Sequence, residues 1–240
     1  MKILDHLISS LNLEGSVKDI RQGVFHTAVL TKQCGLAATL AQDALRQSEF
    51  PVQHPGSLKE MTPENLASLA YSESILEAAI GMAAINSIIK INEDACRELN
   101  AADLIMEKGE GKRITIIGHF PFLAKVRQKA KDLWVIEKNL REGDFDESHA
   151  DDLIPLADVV AITGTALTNH TLDRLLALCR PEAFVILLGG TAPLSPALFD
   201  FHIDAICGTK VVDANLALNC VSQGANFRQI KGTKRLTMLK

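Results

Sequence analysis

From Arg113 onward the chain alternates short apolar runs with helical segments, and this alternation constrains the fold more than any other feature. Runs that are apolar at nearly every position suit strands covered on both faces, as in a parallel sheet with crossover helices. Five such strands are predicted: Arg113–Gly118, Leu133–Glu137, Val159–Thr163, Phe184–Leu188 and Ile203–Cys207, with a sixth near Arg235–Leu239. Helices are expected after the first, third, fourth and fifth, and Ser148 to Leu156 crosses from the second strand to the third. The pattern reads as a Rossmann-like α/β domain.

The residues before it read differently. Ile3, Leu4, Leu7, Ile8 and Leu11 recur at helical spacing, and Asn12 to Gly15 stops that helix. Val17–Ile20, Val24–Leu30 and Cys34–Leu40 then read as a small antiparallel meander. Thr62-Pro63-Glu64 is a helix start with proline at the first helical position. The segment from Ser72 to Lys90 is a helix apolar on nearly every side, so it must be buried. Glu107 to Lys112, charged and glycine-containing, is the expected linker. The prediction is therefore a small α/β domain over residues 1–108, a Rossmann-like domain over residues 109–240, and a cleft between them.

With 240 residues, 47% of them hydrophobic and 22% charged, the chain can bury two modest cores or one large one, and two domains are expected. A net charge of −4 gives no long-range pull toward phosphate backbones or anionic lipid. No nucleic-acid or membrane partner is expected, although a local basic patch stays open. The five cysteines are scattered and never form a CxxC pair, which fits reduced, mostly buried thiols in a cytoplasmic protein. The charged residues of Met1-Lys2-Ile3-Leu4-Asp5-His6 interrupt the apolar run too early for a secretory leader. No later run reaches the roughly 20 apolar residues of a membrane span.

In an open α/β sheet, ligands sit beyond the carboxyl ends of the strands. Those ends read Gly118-His119-Phe120-Pro121-Phe122, Glu137-Lys138-Asn139, Thr163-Gly164-Thr165 and Gly189-Gly190-Thr191. Glu137 lies about 19 positions after Gly118, the spacing at which dinucleotide folds place an acid on a ribose hydroxyl. A solvated or capping carboxylate fits the same position. Phe120 and Pro121 stand where glycine would let a pyrophosphate approach, so a nicotinamide dehydrogenase is disfavoured. His119 is open to three roles: metal ligand, general acid or base, or a loop residue satisfied by backbone. Thr163-Gly164-Thr165 with Thr168-Asn169 either holds an anion or caps the helix Leu172–Cys179. Gly189-Gly190 suits a close backbone approach or a tight turn. Asn86, inside the buried helix, either bonds neighbouring backbone or reaches the cleft. No nucleophile elbow, Walker loop or zinc-ligand cluster occurs.

Three segments together carry a resemblance: Gly81-Met82-Ala83-Ala84-Ile85-Asn86, Gly118-His119-Phe120-Pro121-Phe122, and Ala157-Asp158-Val159-Val160 running through Thr163-Gly164-Thr165-Ala166-Leu167-Thr168-Asn169. The chain resembles a family of uncharacterised proteins assigned to heavy-metal chelation. The resemblance implies an N-terminal domain similar to the enolase N-terminal domain, joined to a Rossmann-like domain. It also implies a site between them that brings Asn86 toward His119, Glu137 and Thr163. Enolase activity is not implied, because its metal ligands and bases lie in a barrel that this chain does not contain. The candidate ligand-binding set is Asn86, Gly118, His119, Phe120, Pro121, Glu137, Thr163, Gly164, Thr165, Asn169, Gly189 and Gly190. The expected function is binding of a small molecule or metal chelate, with a divalent metal ion or a nucleotide-like molecule as the candidate ligand. The alternatives are a transferase-like enzyme using a cofactor such as S-adenosylmethionine, and a regulatory module without chemistry.

Overall fold

The computed structural model describes residues 1–47 and 51–240. Helix α1 (Lys2–Ser9) precedes strands β1 (Asp19–Gln22), β2 (His26–Leu30) and β3 (Cys34–Ala38), which form an antiparallel sheet in the order β1-β2-β3. Asp19 faces Leu30 across the first pair, and His26 faces Ala38 across the second. Helices α2 (Ala41–Ala44), α3 (Pro63–Ser68) and α4 (Ile75–Ile88) follow. Helix α3 starts at Pro63, and the Thr62 hydroxyl accepts the Asn65 N–H at 3.1 Å.

Every residue of α4 except Leu76 and Asn86 is buried. The helix lies against β2 and β3, and its residues share one apolar cluster with Val160, Ile162 and Leu167 of the larger sheet and its helices. Gly35 of β3 permits the first contact. A Cβ there would lie 2.2 Å from the Ala83 carbonyl oxygen, so strand backbone rests directly on helix backbone. The other face of the meander, with Ala28 and Leu36, packs on Ala217, Leu218 and Val221 of a later helix.

The remainder runs β4 (Cys96–Arg97), α5 (Ala101–Gly109), β5 (Arg113–Ile117), α6 (Leu123–Arg127), β6 (Asp132–Ile136), α7 (Ala150–Leu153), β7 (Val159–Thr163), α8 (Thr165–Thr168), α9 (Leu172–Leu178), β8 (Phe184–Leu188), β9 (Ala205–Val211), α10 (Ala214–Ser222) and β10 (Thr233–Leu239). These strands form one seven-stranded sheet in the order β4-β10-β9-β8-β7-β5-β6. The five from β5 to β9 pair in parallel, whereas β10 runs antiparallel to β9 and to β4. The molecule is thus a mixed α/β fold with a large mixed sheet and a small antiparallel one. Strand β7 shows how the large sheet is covered. Val159 and Ala161 pack with Leu104, Ile105 and Val126 from α5 and α6, while Val160 and Ile162 pack on the face carrying α4 and α9.

The expected division at residues 108/109 does not fit this sheet. Strand β4 lies before Lys112 yet pairs with β10, and α5 packs on β7 and β8, so residues on both sides of Lys112 share one sheet. Glu107 to Lys112 is the end of a helix and a turn into β5 rather than a linker. The crossover after β8 is a 3-10 turn, Pro196–Phe201, instead of an α-helix. Strand β9 extends past the predicted Cys207 to Val211. Among the described residues, no helix is long and apolar enough to cross a membrane. All five cysteines are free; Cys34 and Cys207 are buried and the other three half-buried.

Candidate functional site

The parallel strands lie in the order β6-β5-β7-β8-β9, so the chain leaves β5 toward one edge and then returns to its other side. Such a reversal opens a crevice at the carboxyl ends of the two strands flanking it, here β5 and β7. A cavity of about 830 Å³ occupies this edge. Its walls are the loops after β5, β6, β7 and β8, the middle of β9, the start of β10, the loop after α10 and the first turn of α5, with Ala38 of the small sheet at one side.

Seven of the twelve sequence candidates line it: His119, Phe120, Pro121, Thr163, Thr165, Gly189 and Gly190. The Thr163 and Thr165 hydroxyls lie 3.0 Å apart. Gly189 has φ +113°, a turn that favours glycine, and a Cβ on Gly190 would lie 2.8 Å from the Phe227 ring. The other five support the walls from behind. The Glu137 carboxylate accepts the backbone N–H of His119 at 2.9 Å and of Asn139 at 3.1 Å, so it holds the loop after β5 in place without lining the cavity. The Asn86 amide donates to the carbonyls of Leu36 at 2.8 Å and Thr191 at 3.0 Å, tying both sheets to α4. Asn169 accepts from the N–H and hydroxyl of Thr171 at the start of α9. A Cβ on Gly164 would meet the Ala192 nitrogen at 2.4 Å, and one on Gly118 would meet Thr163 and the Phe120 ring at 3.2 Å. Both glycines serve close packing.

Several lining residues escape sequence reasoning. His119 Nδ1 donates toward Asp144 Oδ2 at 3.0 Å, and the Asp144 side chain is buried. The same oxygen accepts the Arg141 N–H at 3.1 Å, so a tight turn links Arg141 to His119. With Nδ1 engaged, the other ring nitrogen is left as the group that can exchange a proton or accept a hydrogen bond. Lys125, Arg141, Arg228 and Arg235 also line the cavity, against a single acid, Asp103. Among the described residues none of these four cations has a carboxylate within ion-pairing distance, unlike Arg113, Lys129, Arg174, Arg180 and Lys210. Arg235 instead stands 5.4 Å from the centre of the Phe227 ring. His26 stacks on the same ring at 5.7 Å, and burial pushes its pKa down to about 4, so its imidazole is neutral. The available signals were an aromatic and an arginine in the polar loop Asn226-Phe227-Arg228, and the turn Arg141-Glu142-Gly143-Asp144.

These residues do not fit a resident heavy-metal ion. No group of three or more His, Cys, Asp or Glu gathers at metal-binding distance among the described residues. Cys207 lines the cavity, but burial pushes its thiol up to about 11, which keeps it protonated and a poor ligand. What the walls offer is positive charge, hydroxyls and aromatic surface, which suit an anion.

Comparison with known proteins agrees with the resemblance. Residues 4–89 match the DUF4213 family model and residues 100–240 the DUF364 model, both described as "Putative heavy-metal chelation". An uncharacterised protein of Methanocaldococcus jannaschii is 32% identical over 184 residues, spanning 73% of this chain and 71% of its own. Two solved structures of DUF364 proteins of unknown function share the fold. The one from Desulfitobacterium hafniense has a TM-score of 0.83 at 24% identity, covering 100% of this chain and 97% of its own. That from Pyrococcus horikoshii has a TM-score of 0.85 at 21% identity, covering 99% and 100%. The model that matches residues 100–240 begins just after β4, close to where the large sheet takes over from α4, and on these matches the chain belongs to the DUF364 family.

Proposed function

We propose that this protein binds a small anionic ligand in the cavity at the carboxyl ends of β5, β7 and β8, beside the middle of β9, and that its part in heavy-metal chelation is to recognise the metal as an anionic chelate. One observation carries the reading: four cations that have no carboxylate partner among the described residues surround a cavity lined by one acid, in a chain of net charge −4. Unpaired positive charge around a concave wall focuses a field that attracts anions. Each charge-assisted contact with a carboxylate or phosphate contributes about 1.5–3 kcal/mol. A bare divalent cation would meet that field with the wrong sign and find no ligand set. An anionic chelate meets it with the right sign and brings its own metal ligands.

A second reading, a transferase-like enzyme with a nucleotide-like cofactor, draws support from His119, whose Nδ1 is held by buried Asp144 as in acid–base pairs. Calorimetric titration separates the readings. Citrate and ferric citrate should bind saturably, while zinc alone gives no specific heat. Saturable zinc binding with no response to either citrate would overturn the proposal. S-adenosylmethionine binding in preference to citrate would favour the enzyme.

A further inference from the structure

We infer that the anion bound here carries a flat unsaturated ring, which stacks on the paired rings of Phe120 and Phe122 in the wall of this cavity. The inference rests on the anion reading and adds the shape of the ligand.

Three of the chain's nine phenylalanines line this one cavity, each half-buried rather than enclosed in the core. Phe120 and Phe122 stack nearly parallel, with ring centres 5.2 Å apart and planes 14° apart, which makes a flat apolar plate. Phe227 on the facing wall is already engaged, with the neutral His26 ring stacked on it and the Arg235 guanidinium over its ring. Glycine admits both. The Phe120 ring lies over Gly118, at the end of β5, and the Phe227 ring over Gly190, just beyond β8. Where dinucleotide folds use strand-end glycine to admit a pyrophosphate, this chain fills the space with phenyl rings.

β5 and β8 are the two neighbours of β7, so the strand ends that carry Gly118 and Gly190 lie about two strand spacings apart, about 10 Å. A stacked ring lies about 3.5 Å from the face it covers, so across that span it rests on the Phe120–Phe122 plate and reaches the far wall with its substituents. The Thr163 and Thr165 hydroxyls lie at the end of β7 between the two, and Arg228 and Arg235 on the Phe227 side are placed to take the ring's anionic substituents. A ligand of purely aliphatic acids would satisfy the cations but leave the plate wet. Aromatic faces gain from stacking on a planar ring beyond area burial alone.

The test compares probes of equal charge and different flatness. Benzenetricarboxylate and cyclohexanetricarboxylate carry the same carboxylates, and calorimetry should show the benzene compound binding at least tenfold more tightly. Two further pairs distinguish the sources of such a ring: AMP against ribose phosphate, and ferric pyridinedicarboxylate against ferric citrate. The pair with the larger advantage for its ring member names the source. In Phe120→Leu and Phe122→Leu the advantage should shrink to within threefold. The bound benzene protons should also move upfield in the NMR spectrum, a readout of ring stacking that needs no variant. Equal affinity of the flat and saturated tricarboxylates, without an upfield shift, would overturn the inference and leave the anion reading standing. Failure of both tricarboxylates and of citrate to bind would overturn the two together.

Discussion

The two ends of the parallel strands handle positive charge in opposite ways. At the amino ends Arg113 and Arg180 share one carboxylate, Asp158, which also accepts the Arg113 N–H at 2.9 Å. These hydrogen bonds pull the Asp158 pKa from 3.8 down to about 2. At the carboxyl ends Lys125, Arg141, Arg228 and Arg235 face a cavity lined by one acid, Asp103, and among the described residues none of the four pairs with a carboxylate. Charge neutralised inside the fold contributes to stability, and charge left unpaired around a concavity is available to a ligand. The difference makes each end answer to a different measurement.

The largest expected effect is on binding. Replacing both Arg228 and Arg235 with Gln should weaken citrate at least a hundredfold by calorimetry, while stability in urea changes by no more than about 0.5 kcal/mol. A large stability loss with affinity intact would erase the contrast between the two ends. Next comes the wall behind Phe227. Because burial holds His26 neutral to about pH 4, the unfolded chain takes up the proton first, so His26 contributes its full stability above about pH 6.5. That contribution falls as the pH drops toward 4, by about 3 kcal/mol in all, and His26→Leu should flatten this part of the urea-measured pH profile.

At the opposite end, Asp158→Asn should cost about 1 kcal/mol at neutral pH, a figure reduced because the carboxylate is partly open to solvent, and should leave citrate affinity unchanged. The gap between parent and variant should be complete above pH 3.8 and close as the pH falls toward 2, since a depressed carboxyl stabilises only while ionised. The smallest effect belongs to Glu137→Gln. Its carboxylate braces two backbone N–H groups, so the variant should lose about 0.5–1 kcal/mol of stability and less than threefold in citrate affinity. A tenfold loss of affinity would move Glu137 from brace to ligand contact.

What the sequence discloses follows from how each element is stabilised. Strands β7 and β8 are readable to the residue because both faces are covered, so every position but Thr163 is apolar. Strand β4 is two residues long, too short for any periodicity, and its pairing with β10 depends on a partner 140 residues later. A division at 108/109 therefore leaves β4 apart from the sheet that it joins. The same contrast holds at the site. The strand-end loops could be found from topology alone, which brought in His119, Thr163 and Gly190. Arg228 and Asp144 sit in turns without pattern, and although Arg235 lies in a readable strand, only the folded chain carries the three to the site. The position of Glu137 suits a ribose contact and a backbone brace equally well. Only the two N–H groups at its oxygens distinguish them.

The claim that the carboxyl ends of the strands form an anion receptor is tested most directly by mapping backbone amide shifts during a citrate titration of the whole protein. The shifts should move together, with one dissociation constant, at His119, Thr163, Gly190 and Asn226 to Arg228, while Arg113, Asp158 and Arg180 stay still. Shifts centred on Asp158, or scattered over the surface without saturation, would contradict it.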